Sequence, residues 1–193
     1  KSVQDPDLPL WISVDQEGGN VQRLSPKKGF QHYYPSALFI ADTYPTRHAY
    51  RIYSQMAKAL SITGFNLNFG TVLDVKKEFL SPAISLKERS FSSKPKKIAH
   101  YAEAMLNAHR ARGLISVAKH FPGHGGAKTD SHFSVASVTE YWSDDDIFPY
   151  QYLIRKNKID MIMTAHVMHH DIDPHFPATL SKRHIHDLLR TKL

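Results

Sequence analysis

The stretch KHFPGHGGAKTDSH, residues 119–132, gathers three histidines, an aspartate, two lysines and a Pro-Gly-His-Gly turn into fourteen residues. Glycines let a backbone turn sharply and approach a ligand closely. Asp130 and His132 stand two residues apart, so the carboxylate can bond an imidazole nitrogen. Such a bond fixes the tautomer, raises the ring's pKa and makes it a proton donor or acceptor near neutral pH. A polar surface loop accounts for one such histidine, but not for three with an aspartate on a glycine-rich turn. A metal site is the alternative: His120, His124, Asp130 and His132 are possible ligands, with His166, His169 and His170 further along. Their spacing matches no compact ligand signature such as H-E-x-x-H. His169 and His170 read as an exposed pair in a loop.

These groups need elements to hold them. Four short apolar, β-branched runs read as strands: Leu10–Val14, Leu67–Val75, Leu114–Phe121 and Ile159–Ala165. Between them the spacing predicts amphipathic helices over Thr46–Thr63 and Pro95–Arg112, with Pro95 in the first turn and Gly113 as C-terminal cap. Ser143 with Asp146 resembles a capping box that opens a third helix through Ile154, and Ser181 opens a fourth. Alternation of this kind implies an α/β fold with a parallel sheet, either open and doubly wound or closed into a barrel. Asp15, Asp74, His120 and His166 each follow a strand run, and in a (β/α)8 barrel all strand ends face one site. No G-x-G-x-x-G follows the first strand, which weighs against a dinucleotide fold. The expectation is a (β/α)8 TIM-type barrel, here a partial barrel of about four strands with their helices. Residues 1–193 read as a single domain truncated at both ends, with exposed sheet edges if isolated.

Composition narrows the function. The 193 residues are 41% hydrophobic and 22% charged, as in globular domains. No apolar run approaches the ~18 residues of a membrane span, and residues 1–9 lack the apolar core of a signal peptide. The absence of cysteine excludes disulfides and thiolate metal sites. The net charge of +7 is scattered in pairs such as Lys76-Lys77 and Lys96-Lys97, not set in a stripe among aromatics, so no nucleic-acid partner is expected.

KHFPGHGGAKTDSH resembles the signature loop of the NagZ-type β-N-acetylglucosaminidases of glycoside hydrolase family 3. The stretches VDQEGGNVQRL (14–24), NLNFGTVLDV (66–75), KERSF (87–91), MTAHV (163–167) and PATLS (177–181) are similar to that family's other blocks, in the same order. The resemblance implies a retaining glycosidase that removes terminal non-reducing β-linked N-acetylglucosamine from a muropeptide or chitooligosaccharide, without a cofactor. It implies His132 as general acid/base, Asp130 as its partner, and Asp15, Arg23, Arg89, Lys119 and His120 as the sugar cradle. Arg89 is alternatively an ion-pair partner of Glu88 or Asp74, and Asp74 a support for Lys119 or Arg89. The family's nucleophile, the first Asp of an Asp-Asp-Leu block, is expected after Leu193, so this stretch alone is expected to be inactive. Asp144, Asp145 and Asp146 are rejected as substitutes because a helix start is read as the opposite end of the βα unit. Asn20 stands where the family has Arg. A bacterial cytoplasmic location is expected, with a secreted or lipoprotein form as the alternative. The rival readings are a non-catalytic sugar-binding module and a metal-dependent barrel hydrolase.

Overall fold

The computed structural model describes residues 10–79, 81–130 and 135–193. The first half runs β1 (Ser13–Val14), β2 (Gln16–Gly18), β3 (Val21–Gln22), α1 (Ala37–Thr43), α2 (Thr46–Thr63) and β4 (Leu67–Val72). The second runs α3 (Pro95–Arg110), β5 (Ile115–Phe121), β6 (Ala136–Ser137), α4 (Asp144–Arg155), β7 (Ile162–Thr164), β8 (Val167–Met168) and α5 (Arg183–Arg190), the last wound as a π-helix. Strands β1, β4, β5 and β7 form one parallel sheet in that order. The α/β class and the parallel sheet are those expected from the sequence. Among the described residues the sheet does not close, and β1 and β7 are its edges. Leu10, Trp11 and Ile12, leading into the β1 edge, are exposed.

Parallel neighbours require crossovers, and amphipathic helices supply them. α2 follows Pro45 and stops at Gly64, whose φ of +95° only glycine adopts freely, so its ends match the sequence reading residue for residue. From its buried stripe, Ala49, Tyr53, Met56 and Leu60 meet the α3 stripe of Ile98, Ala102 and Met105 in the main core. α3 ends at Arg110, two residues short of the expected limit, because the chain turns through Ala111–Gly113. At α4 the Ser143 N–H donates to Asp146 Oδ2 at 3.0 Å, as the capping box requires. The strands are shorter than the apolar runs: Leu73, Asp74 and Val75 are buried beyond the end of β4, in the loop rather than in the ladder.

One core residue gives a stability test. The His109 ring is fully buried; its Nδ1–H donates to the Met105 carbonyl and Nε2 accepts from Asn68 Nδ2, each at 2.9 Å. Burial pulls its pKa down to about 4, against the Met105 bond, which raises it. The unfolded chain binds this proton near 6.5, so the stabilisation is complete above that pH and lost as pH falls toward 4. Urea denaturation is expected to show roughly 2–3 kcal/mol lost through this group between pH 7 and 4.5. His109→Gln should show a correspondingly smaller pH step, and an equal one would refute the assignment.

Candidate active site

The parallel register brings the carboxyl ends of β1, β4 and β5 side by side, with Val72 opposite Lys119. Asp15 follows β1 directly, Asp74 lies just past β4, and Lys119 and His120 sit near the end of β5. The Lys119–His120 and Phe121–Pro122 peptides are cis. The turn beyond them packs tightly: a Cβ on Gly125 would collide with the Val75 carbonyl oxygen, so no other residue fits without a shift.

The group that organises the cluster is one the sequence reading missed. Glu17 lies on β2, in a hairpin whose Gly18 has a φ of +106°. The hairpin is held by two glutamines. Gln16 Oε1 accepts the Arg23 and Leu24 amides at 2.8 and 3.0 Å, and Gln22 brackets Tyr34, accepting its amide and donating to its carbonyl. Glu17 thereby points inward and is buried. Arg89 clasps it with two bonds of 2.8 Å, from Nε and Nη2, and Lys119 Nζ approaches Oε1 to 2.7 Å. Lys119 Nζ also donates to Asp15 Oδ1 at 3.0 Å. Arg89 Nη1 donates to the Ala83 carbonyl at 2.8 Å, and Nη2 lies 3.3 Å from His120 Nε2. Nδ1 of His120 meets Asp74 Oδ2 at 2.7 Å, while Asp74 Oδ1 accepts the His120 and His124 amides at 3.3 and 2.7 Å.

These pairings correct two expectations. Arg89 pairs with Glu17, not with Glu88 or Asp74; the Glu88 carboxylate instead accepts the Ser36 hydroxyl at 2.7 Å. Asp74 supports His120, not Lys119 or Arg89. The site therefore joins Asp15, Lys119, Arg89 and His120 of the expected cradle. Arg23 stands apart: its side chain is exposed and makes no ion pair among the described residues.

Electrostatics fix the charge states. Burial works to raise Glu17, but the Arg89 and Lys119 cations outweigh it and hold the carboxylate ionised. Asp74 follows the same pattern: burial raises it, while the His120 ring and the His124 amide bring it well below the usual carboxylate range. Burial is also the largest influence on His120, and with Arg89 and Lys119 nearby it lowers that pKa despite Asp74. His120 is thus a neutral imidazole that donates from Nδ1 to Asp74 and presents a lone pair at Nε2.

Donor bookkeeping shows what remains for a ligand. Four of the five Arg89 N–H groups and two of the three Lys119 protons are engaged. One donor on each stays outside these bonds, and Lys119 already reaches the partly exposed carboxylate of Asp15. Two fixed cationic donors beside one carboxylate suit neighbouring hydroxyl groups on a rigid, uncharged ligand.

Asp130 lies close by. Lys87 donates to its Oδ2 at 3.3 Å from the Ser85–Lys87 turn, two residues before Arg89. His132 lies outside the described residues. Lys77, in the loop after β4, pairs with Asp146 at 2.6 Å. Asp146 packs against Gly123, so the start of α4 faces the glycine-rich turn, and the reason given for rejecting Asp144–Asp146 was wrong. Burial and the Lys77 bond nonetheless make Asp146 part of the scaffold, and Asp144 and Asp145 are exposed. His166 bonds Thr179 Oγ1 at 2.6 Å. His169 is buried, contrary to the exposed pair expected; His170 is exposed. Among the described residues no three His, Cys, Asp or Glu side chains converge as metal ligands.

The family model described as the glycosyl hydrolase family 3 N terminal domain matches residues 1–193. A beta-hexosaminidase of Haemophilus influenzae is 36% identical, over 96% of this chain and 52% of its own length. The solved structure of M tuberculosis LpqI superposes with a TM-score of 0.84 at 32% identity, covering 95% of this chain and 52% of that one. NagZ from Neisseria gonorrhoeae, solved in complex with N-trifluoroacetyl-D-glucosamine, gives a TM-score of 0.80 at 28% identity over 94% of this chain and 54% of that one. The chain spans a third to just over half of the length of the curated relatives it matches.

Proposed function

The chain belongs to the glycosyl hydrolase family 3 N-terminal domain family, and from that premise we propose that the protein carrying it hydrolyses terminal non-reducing β-linked N-acetylglucosamine. The observation that supports this most is the fused cluster Asp15–Lys119–Glu17–Arg89–His120–Asp74 at the ends of three adjacent strands. Such a cluster presents fixed donors and one carboxylate to sugar hydroxyls and an acetamido oxygen. The relative from Neisseria gonorrhoeae, solved with a glucosamine derivative, lends further support.

In this reading His132 delivers the proton to the departing glycosidic oxygen and later removes one from water, with Asp130 orienting its ring. The pair replaces the raised-pKa carboxylic acid that most glycosidases use. Retention needs a carboxylate nucleophile on the opposite face of the sugar. Asp15, Glu17, Asp74 and Asp146 are all tied to cations or to His120, which supports a nucleophile outside these residues. The open edge at Leu10–Ile12 and the apolar flank of Phe69, Val117, Met161 and Met163 support a sheet that is part of a (β/α)8 barrel. A muropeptide or chitooligosaccharide substrate and a cytoplasmic location complete the proposal.

The test is a chromogenic assay on the full-length protein. Release from an aryl β-N-acetylglucosaminide is expected to exceed release from the matching β-glucoside, with the β-anomer formed first. No release, or an α-anomer first product, would refute the reading. Residues 1–193 expressed alone are expected to give no turnover.

A further inference from the structure

Beyond the cluster, the loops after β5 and β7 are fastened to each other. β6 pairs with β8, the Val138 N–H donates to the Met168 carbonyl at 2.9 Å, and the His170 N–H donates to Thr139 Oγ1 at 2.9 Å. The apolar contact beneath them is a small cluster of alanines and valines, separate from the main core, with Trp142 against it. His169 packs edge-on to Trp142 with centroids 4.6 Å apart, and His184 of α5 lies 6.1 Å beyond His169. Trp142 Nε1 donates to the Pro122 carbonyl at 2.9 Å. A row of rings therefore leads from α5 to the glycine-rich turn.

Both histidines are costly to bury. His169 is 3% and His184 0% exposed, and none of their four ring nitrogens has a hydrogen-bond partner among the described residues. Such rings are tolerated while neutral; a proton would place an uncompensated charge beside the indole. The charged groups around them do not offset it. Asp171 and His170 act on His169 in opposite directions. Asp173, beside His184, is already committed to the Ser181 hydroxyl and the His175 and Phe176 amides, with Arg183 of α5 near it. Burial lowers both imidazoles, His184 to about 4.

We propose that the His169–His184 pair is an acid-released latch: neutral, it clamps α5 and the loop after β7 onto Trp142 and the turn at Pro122, and protonated, it lets them part. The latch stands independently of the proposed activity. Once released, a ring regains its ordinary value near 6.5, so the closed form is fully favoured above that pH. Through His184 the open fraction then grows about tenfold per pH unit as pH falls toward 4, and His169 adds to it in the same direction.

Hydrogen exchange on the full-length protein, corrected for the intrinsic pH dependence of amide exchange, reads the latch at the Val138, His170 and Ala178 amides. Opening there is expected to rise about 100-fold between pH 7 and 4.5. In His184→Leu this rise should shrink by at least tenfold, and an unchanged rise overturns the proposal. Nitrogen-edited NMR of the wild-type imidazoles decides the matter should the variant not fold. His184 is expected to remain neutral at pH 5.5 and His169 to titrate below its ordinary value, and either one titrating near 6.5 overturns it.

Discussion

Exchanging Glu17 for Gln in the full-length protein is expected to lower kcat/KM on an aryl β-N-acetylglucosaminide on the order of 10²–10³-fold. Glu17 does not have to touch the sugar for this to hold. Its carboxylate is the common counter-ion of Arg89 and Lys119, both largely buried. A neutral amide leaves two cations in a poorly solvated place and turns an N–H₂ group toward one of them. Lys119 is then free to move wholly onto Asp15, and Arg89 loses the two-point clasp that sets the angle of its last free donor. Glu17→Asp, which keeps the charge but shortens the reach, should recover part of the loss. A folded E17Q variant with wild-type kinetics would show that the cradle does not depend on this carboxylate.

The second large effect concerns His132. In His132→Ala, cleavage of substrates with poor leaving groups is expected to fall on the order of 10²–10⁴-fold, the range that positioned general acids supply. Aryl glycosides whose phenolate departs unaided should be affected far less in the glycosylation step. The contrast is the informative quantity, because a structural defect would lower all substrates alike. Asp130→Asn should give the same pattern in weaker form. Equal losses across leaving groups would remove His132 from the acid role.

Much of this molecule was legible in its sequence where one physical signal acted alone. The α2 helix was bounded correctly because an amphipathic stripe runs between a proline and a glycine with nothing competing. Asp15, Lys119 and His120 were legible because ionisable residues that end apolar runs have few other reasons to be there. Arg89 was named through the family resemblance, but its partner was not: Glu17 stands two residues after Asp15 in DQEGG, and either acid could have been the inward one. The glycine pair beyond it was the available sign, since a Gly-Gly turn between Gln16 and Gln22 makes a hairpin and reverses which side chains face in. The strands were read too long because burial continues past the ladder through Leu73–Val75. His169 was misjudged for the opposite reason. Two adjacent histidines look solvated, and only the fold shows that Trp142 and His184, distant in sequence, close over one of them.

The short turn that supplies both Lys87 and Arg89 has an evolutionary consequence. One residue reaches Asp130 and the other Glu17, so a single backbone shift moves both contacts at once and, under the proposed function, sugar affinity and proton delivery with them. Selection cannot adjust either trait through this turn without disturbing the other. Lineages that diverge in substrate preference should therefore keep it unchanged in length and diversify around it, and laboratory libraries should return few functional insertions between Ser85 and Arg89.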